Sequence, residues 1–143
     1  MARYLKTAVR STNDVRNYLT RRRVAPRTRE AIVLRAEAQG LLDDEAAVRL
    51  WADHWARRGY AWALIEEKLA SKGFEEAAIR AAATTYGHAS DDEQRARAAV
   101  SKALRCSPSL PSRQAHRLAR MLASRGFDPD LIGRVVGETL GSE

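Results

Sequence analysis

The chain has 143 residues, a net charge of +7 and only 6% aromatic residues, and it is rich in Ala and Arg. This composition favours helices over strands, and a single cysteine, Cys106, excludes an internal disulfide or a zinc site built from cysteines. No apolar run approaches the roughly 20 residues that span a bilayer, and no signal peptide is apparent, so we expect a cytoplasmic protein without a membrane anchor.

The positive charge is concentrated at the start of the chain. Residues 1–40 contain ten Lys and Arg against three Asp and Glu, whereas 41–86 contain six against eight and 87–143 contain nine against seven. One interpretation is a solvated basic face. The other is a surface that binds phosphate or an acidic partner.

The N-terminal segment, residues 1–40, predicts two helices, and the stretch before Ser11 is too short to predict a third. The first begins in the N-cap cluster Ser11-Thr12-Asn13-Asp14, and the second runs from Pro26 to about Gln39. The corner between them is Arg21-Arg22-Arg23. Because it lacks the glycine found at the later corners, we expect a different turn here.

Residues 41–87 predict a compact module of three helices. Asp43 and Asp44 suit a helix start, and Trp51 and Trp55 follow on one apolar face. A basic residue, a glycine and an aromatic residue are typical of a helix end, where the glycine takes the left-handed conformation. The first two helices end at such corners, Arg57-Arg58-Gly59-Tyr60 and Lys72-Gly73-Phe74, and the third ends near Gly87.

Residues 88–143 repeat this plan in a looser form. A helix opening at Ser90-Asp91-Asp92 runs to about Leu104, and a Pro- and Ser-rich stretch at 107–112 interrupts the chain. The next helix ends in the phrase Leu-Ala-Ser-Arg-Gly-Phe at 122–127, which nearly repeats the phrase at 69–74. Repetition within a short chain predicts an array of similar units.

No catalytic constellation is visible in the sequence. His54, His88 and His116 are far apart, and no glycine-rich phosphate loop is present. The paired aspartates at 43–44 and 91–92 are better explained as helix caps than as metal ligands. We therefore expect no enzyme activity, no cofactor and no metal. Core packing is also the better interpretation of Trp51 and Trp55, although stacking on bases is the alternative.

Arginine side chains form the candidate binding surface, because they make bidentate contacts with phosphate and with carboxylate alike. Arg113, Arg117 and Arg120 are spaced to form a stripe along one helical face, at positions i, i+4 and i+7. The sequence leaves open whether DNA or an acidic protein patch receives them. The candidate residues are Arg10, Arg16, Arg21, Arg22, Arg23, Arg57, Arg58, Arg113, Arg117 and Arg120.

The order and spacing of these pieces resemble the RecX family of recombinase regulators over essentially the whole chain. The matching pieces are 11–19, the junction Gly40-Leu41-Leu42-Asp43-Asp44, the corner at 57–60 and both Gly-Phe corners with the helices after them. Arg23, in place of the family's usual glycine, departs from the pattern, as does the Arg-rich helix after Pro26.

The resemblance implies an all-α, elongated and curved array of tandem three-helix modules, at 1–40, 41–87 and 88–143. It further implies a non-catalytic protein, expected as a monomer, that binds the RecA–DNA filament and inhibits its recombinase and coprotease activities. Contact with single- or double-stranded DNA belongs to the same expectation. The competing hypothesis is a stand-alone helical DNA-binding protein that works through its Arg-rich faces.

Overall fold

A computed structural model describes residues 11–107 and 111–141, and within these ranges the chain forms eight α-helices and no strand. The predicted all-α fold is confirmed. Arg10, the region before Ser11 and part of the Pro- and Ser-rich stretch lie outside the described residues. The helices are α1 (Thr12–Arg21), α2 (Pro26–Ala38), α3 (Asp44–Arg57), α4 (Trp62–Ser71), α5 (Glu76–Tyr86), α6 (Ala89–Cys106), α7 (Pro111–Ser124) and α8 (Pro129–Gly141).

The helices pack in three successive sets, each around its own apolar core. We call them the N-terminal pair (α1 and α2), the middle trio (α3–α5) and the C-terminal trio (α6–α8). Their centres are fully buried aliphatic side chains, as the helical spacing of apolar residues predicts. Representative core residues are Val15 and Val33 in the pair, Val48, Ile65 and Leu69 in the middle trio, and Val100, Leu118, Leu122 and Val135 in the C-terminal trio.

The same turn ends several helices, including the one that lacks glycine. Gly73 and Gly126 have φ of +85°, and Arg23 has φ of +59°. The residue after each donates its backbone N–H to the carbonyl five residues earlier, as Val24 does to Leu19 at 3.1 Å. The prediction of a different turn at Arg23 was wrong. The turn is made by backbone hydrogen bonds, and a left-handed arginine costs only about 1–2 kcal/mol.

One aspartate at each of the two junctions joins a set of helices to the next. Asp44 Oδ1 accepts from the backbone N–H of Thr12 at 2.8 Å, and Asp92 Oδ1 accepts from that of Trp62 at 3.0 Å. Thr12 and Trp62 are the first residues of α1 and α4, whose N–H groups lack partners within their own helices. These aspartates therefore cap a helix of the preceding set.

This arrangement corrects part of the capping prediction. Asp43 does cap its own helix, accepting from Ala46 N–H at 3.0 Å. Helix α6, by contrast, has His88 as its N-cap with no side-chain hydrogen bond, and it starts at Ala89, before Ser90. Asp44 and Asp92 lie in the first turn of their own helices, as predicted, but the N–H groups that they cap belong to the preceding set, about 30 residues away in sequence.

The repeated corner makes a second contact at each junction. The carbonyl of Lys72 accepts from Asn13 Nδ2 at 3.0 Å, and the carbonyl of Arg125 accepts from the Ala61 backbone N–H at 2.9 Å. A Cβ on Gly73 would lie 2.2 Å from Asn13 Nδ2, and one on Gly126 would lie 2.7 Å from Leu64 Cβ. Both glycines therefore favour the left-handed turn and also leave room for the approach of the neighbouring set.

An ionic network fastens α6 to α8 on the surface of the C-terminal trio. Glu93 pairs with Arg97 at 2.8 Å and with Arg134 at 3.1 Å, and Arg97 also pairs with Glu138 at 2.6 Å. Hydrogen bonding from Arg97, followed by the charge of Arg134, lowers the pKa of Glu93. The network thus depends on Glu93 being ionised.

Candidate binding surface

The three arginines at the end of α1 are exposed. The Arg22 guanidinium lies over the Tyr18 ring, 5.3 Å from its centroid. Within the described part of the chain, no carboxylate pairs with Arg21, Arg22 or Arg23. They form a compact basic corner, held by the left-handed turn at Arg23.

Arg16 is already engaged within the protein. Its Nε and Nη2 atoms bind both carboxylate oxygens of Glu30, at 2.9 and 3.1 Å. The same bidentate contact lowers the pKa of Glu30 and raises that of Arg16. Because the fork of the guanidinium is occupied, Arg16 is less available to a partner than its neighbours at the corner.

Helix α7 presents the predicted stripe. Arg113, Arg117 and Arg120 line one open depression of about 660 Å³, together with Ser112, His116 and Met121. Arg117 Nη2 also donates to the carbonyl of Ser107 at 3.0 Å. The three arginines lie together on one face, as their helical spacing predicted. The surface that they form carries three guanidinium groups and one imidazole.

The remaining predicted pair, Arg57 and Arg58, lies in a groove between the middle and C-terminal trios. This groove has a volume of about 600 Å³, and none of its lining residues is acidic. We call it the junction groove. Its lining residues are Ala56, Arg57, Arg58, Gly59, Tyr60, Arg95, Ala98, Ala99, Lys102, Ser124 and Arg125.

Sequence reasoning missed three cations of the junction groove. Arg95 and Lys102 are seven residues apart on α6, a spacing that places them on one helical face and could have indicated a basic stripe. Arg125 belongs to the repeated corner, where its charge was explained by the helix end alone. The groove draws its cations from α6 and from the ends of α3 and α7, so no local pattern contains it.

The groove cations differ in how far they are already paired. Arg57 forms an ion pair with Asp53 at 2.8 Å, and Arg95 is largely buried, with Nη2 bound to Asp92 at 2.5 Å and to the Tyr86 carbonyl at 2.8 Å. In the ranges that the structure covers, the side chains of Arg58, Lys102 and Arg125 have no ion-pair or hydrogen-bond partner. These three are the groups that the groove can offer to an anion.

The tryptophans do not form a stacking platform for bases. Trp55 and Trp62 are buried, and the half-buried Trp51 stacks on Trp55 with ring centroids 5.2 Å apart. The Lys72 ammonium lies 3.9 Å from the centroid of the Trp51 ring. The structure therefore supports core packing, and Trp62 is part of the same core.

The described residues contain no cluster of three or more metal-ligating side chains, and none of their helices is long and apolar enough to cross a membrane. His54 contacts Trp51 edge-on at 5.9 Å. The chemistry that this surface offers is the binding of anions, by exposed guanidinium and ammonium groups on a rigid helical frame.

Comparison with known proteins agrees with this architecture. A family model described as "RecX, third three-helix domain" matches residues 91–136, within the C-terminal trio. Regulatory protein RecX of Thermobifida fusca is 32% identical over 143 residues, covering 99% of this chain and 77% of that protein. The chain belongs to the RecX family. Regulatory protein RecX of Streptomyces coelicolor is 29% identical, with 99% and 76% covered.

Solved RecX structures share the fold. The crystal structure of RecX from Lactobacillus salivarius superimposes with a TM-score of 0.79, covering 99% of this chain and 92% of that one at 17% identity. A second crystal structure of regulatory protein RecX gives 0.75, with 100% and 68% covered at 22% identity. The helical array is therefore that of RecX structures, and the chain belongs to a family of regulatory proteins.

Proposed function

We propose that this chain binds the RecA–DNA filament and inhibits its recombinase and coprotease activities without catalysing a reaction of its own. The observation that carries the proposal is the match, over 99% of the chain, to proteins named regulatory protein RecX. We further propose that it acts in the cytoplasm as a monomer. The basic faces support a partner that is acidic, as a nucleoprotein filament is.

The arrangement of the arginines suggests how contact is divided along the chain. We propose that the modules 1–40, 41–87 and 88–143 each present one basic patch to the filament. These patches are the corner at 21–23, the arginines 57 and 58, and the α7 stripe, and they follow one another along the array. Several weak contacts made by one chain add up to strong binding.

The experiment is a titration of purified RecA with this chain. ATP hydrolysis and strand exchange are measured on single-stranded DNA, with bovine serum albumin at equal concentration as the control. We expect both activities to fall at substoichiometric to stoichiometric ratios of the chain. If both are unchanged at several-fold excess, the proposed function is wrong.

The basic corner is tested by charge reversal. Replacing Arg21, Arg22 and Arg23 together by Glu should leave the helical circular dichroism and the urea midpoint close to those of the unchanged chain, since the side chains are exposed. Inhibition of RecA should require a higher concentration. Unfolding of this variant would mean that the corner is structural.

A stand-alone DNA-binding protein is the second candidate, and the net charge of +7 with its arginine clusters is the observation that favours it. It predicts tight binding to naked DNA that weakens steeply with salt, because each neutralised phosphate releases a counterion. Equal inhibition of RecA and of an unrelated DNA-dependent ATPase would favour this candidate, since the protein would then act by covering DNA.

A further inference from the structure

The junction groove combines free cations from both sides of a junction between two helix sets. Arg58 belongs to the end of α3 in the middle trio, whereas Lys102 and Arg125 belong to the C-terminal trio. An anion held between them would contact both trios at once. A second depression, which is also lined by Asp91, shares Ala56, Arg57, Arg95 and Ala98 with the groove.

The groove floor is made of small residues. Ala56, Gly59, Ala98 and Ala99 line it, and the Arg125 guanidinium packs over Gly59, where a Cβ would lie 2.7 Å from Nη1. Tyr60 is the single large apolar side chain of the lining. A docked protein segment gains its affinity mainly from large side chains buried in pockets, and this lining offers almost none.

The density of positive charge in the groove favours a nucleic-acid strand over an acidic peptide as its partner. Five cations line the groove, and no acidic residue does. An acidic peptide carries single carboxylates with intervening side chains, whereas a nucleic-acid strand carries one phosphate per nucleotide and releases counterions when cations neutralise it. Small floor residues and concentrated positive charge both fit a backbone of regularly spaced phosphates.

We propose that the junction groove binds the phosphate backbone of a nucleic-acid strand, through Arg58, Lys102 and Arg125. Arg57 and Arg95 contribute positive charge while they remain paired with Asp53 and Asp92. A bound strand bridges the middle and C-terminal trios across the junction that Asp92 and the Arg125 carbonyl hold together. The inference deepens the proposed function and is tested without RecA, so that either can fail while the other stands.

The test compares two variants that lose the same charge. The groove variant carries Arg58→Gln, Lys102→Gln and Arg125→Gln. The control variant carries Arg27→Gln, Arg35→Gln and Arg105→Gln, at exposed positions that have no ion-pair partner among the described residues. Binding of a fluorescent single-stranded oligothymidylate is measured by anisotropy at several salt concentrations, and urea unfolding checks that both variants are folded.

The groove variant should lose on the order of tenfold or more in affinity, and its salt slope should fall by about two, since each single-strand phosphate contact contributes about 0.7. The control should change less in both quantities. Equal losses in the two variants would show that only net charge matters and would overturn the proposal. Competition by polyglutamate or inorganic tripolyphosphate as effective as that by unlabelled oligonucleotide would also overturn it.

Discussion

The corners at Arg23 and at Gly73 have the same backbone conformation and different surroundings. Both residues are left-handed, and both turns are closed by the same pair of backbone hydrogen bonds. The neighbouring set packs on Gly73, where Asn13 leaves no room for a Cβ, whereas the side chain of Arg23 is exposed. At Gly73 the missing side chain also makes room for the neighbouring set, whereas at Gly40, which has φ of +69° and the same turn, a Cβ would have nothing within 4 Å.

The same comparison relates the repeated phrase to function. At 72–74 and 125–127 the corner holds two sets of helices together through a carbonyl and a glycine. At 21–23 no neighbouring set is packed against it among the described residues, and three arginines stand exposed there. Because the corner at 21–23 does not hold two sets of helices together, its side chains can contact a partner, and we propose that they do.

The largest loss of stability is expected from substituting the aromatic residue of the repeated corner. Phe127 is 4% exposed and belongs to the core of the C-terminal trio, so Phe127→Ala should lower the free energy of unfolding by about 3–5 kcal/mol. Urea denaturation followed by circular dichroism measures it. Val24→Ala, at the equivalent but half-buried position, is the comparison and should cost clearly less. Equal costs would mean that the two corners are packed alike.

A smaller effect is expected from the glycine itself. Gly73→Ala should cost about 2 kcal/mol, from left-handed strain and from contact with Asn13. Arg23→Gly should change stability by less than about 1 kcal/mol, because relief of strain is offset by the flexibility of glycine in the unfolded chain.

A double-mutant cycle separates strain from contact at this corner. In an Asn13→Ala background, Gly73→Ala should cost less than in the unchanged chain, since the nearest clashing atoms are gone. If the cost is the same in both backgrounds, the close approach of α1 does not explain the glycine.

The next largest loss of stability is expected from substituting a capping aspartate. Asp92→Ala removes the acceptor for Trp62 N–H and the partner of Arg95, and should cost about 1–2 kcal/mol. Asp91→Ala, beside it, has no comparable contact in the described structure and serves as the control. Thermal unfolding of the two variants gives the comparison. Equal midpoints would contradict the capping role of Asp92.

The smallest effect concerns pH. Because the folded-state pKa of Glu93 is lowered below its unfolded value of about 4.3, its contribution to stability is present above that value and is lost as the pH falls through the folded pKa. Glu93→Gln should therefore destabilise the protein slightly at pH 7 and less at pH 3. Urea midpoints at the two pH values measure this, and the same loss at both would exclude an ionic role.

Most of the fold was predictable, because helices and their ends have local signals. Apolar residues at helical spacing predicted the buried face of α3 that includes Trp55, and Gly-Phe pairs predicted the corners at 73–74 and 126–127. The junctions were not predictable, since Asp44 and Thr12 are 32 residues apart and neither residue type reveals its partner. The same holds for the junction groove, because the sequence does not reveal that the fold places two copies of the basic-glycine-aromatic corner, with Arg58 and Arg125, beside Arg95 and Lys102 of α6.

The basic surface was predictable in part, for a related reason. The α7 stripe follows from helical spacing alone, and the structure brings its three arginines together. Arg16 was indistinguishable in sequence from its neighbours, and only the fold places Glu30 against it. Charge patterns indicate which residues can bind an anion, while the folded chain decides which of them remain available.

The proposal that this chain binds the RecA filament is tested most directly by measuring that binding. The labelled chain is titrated against RecA filaments assembled on single-stranded DNA, and against the same DNA without RecA, at equal salt. We expect tighter binding to the filament than to the bare strand. Equal or tighter binding to the bare strand, or no binding to the filament, would contradict the proposal that this protein regulates the RecA filament.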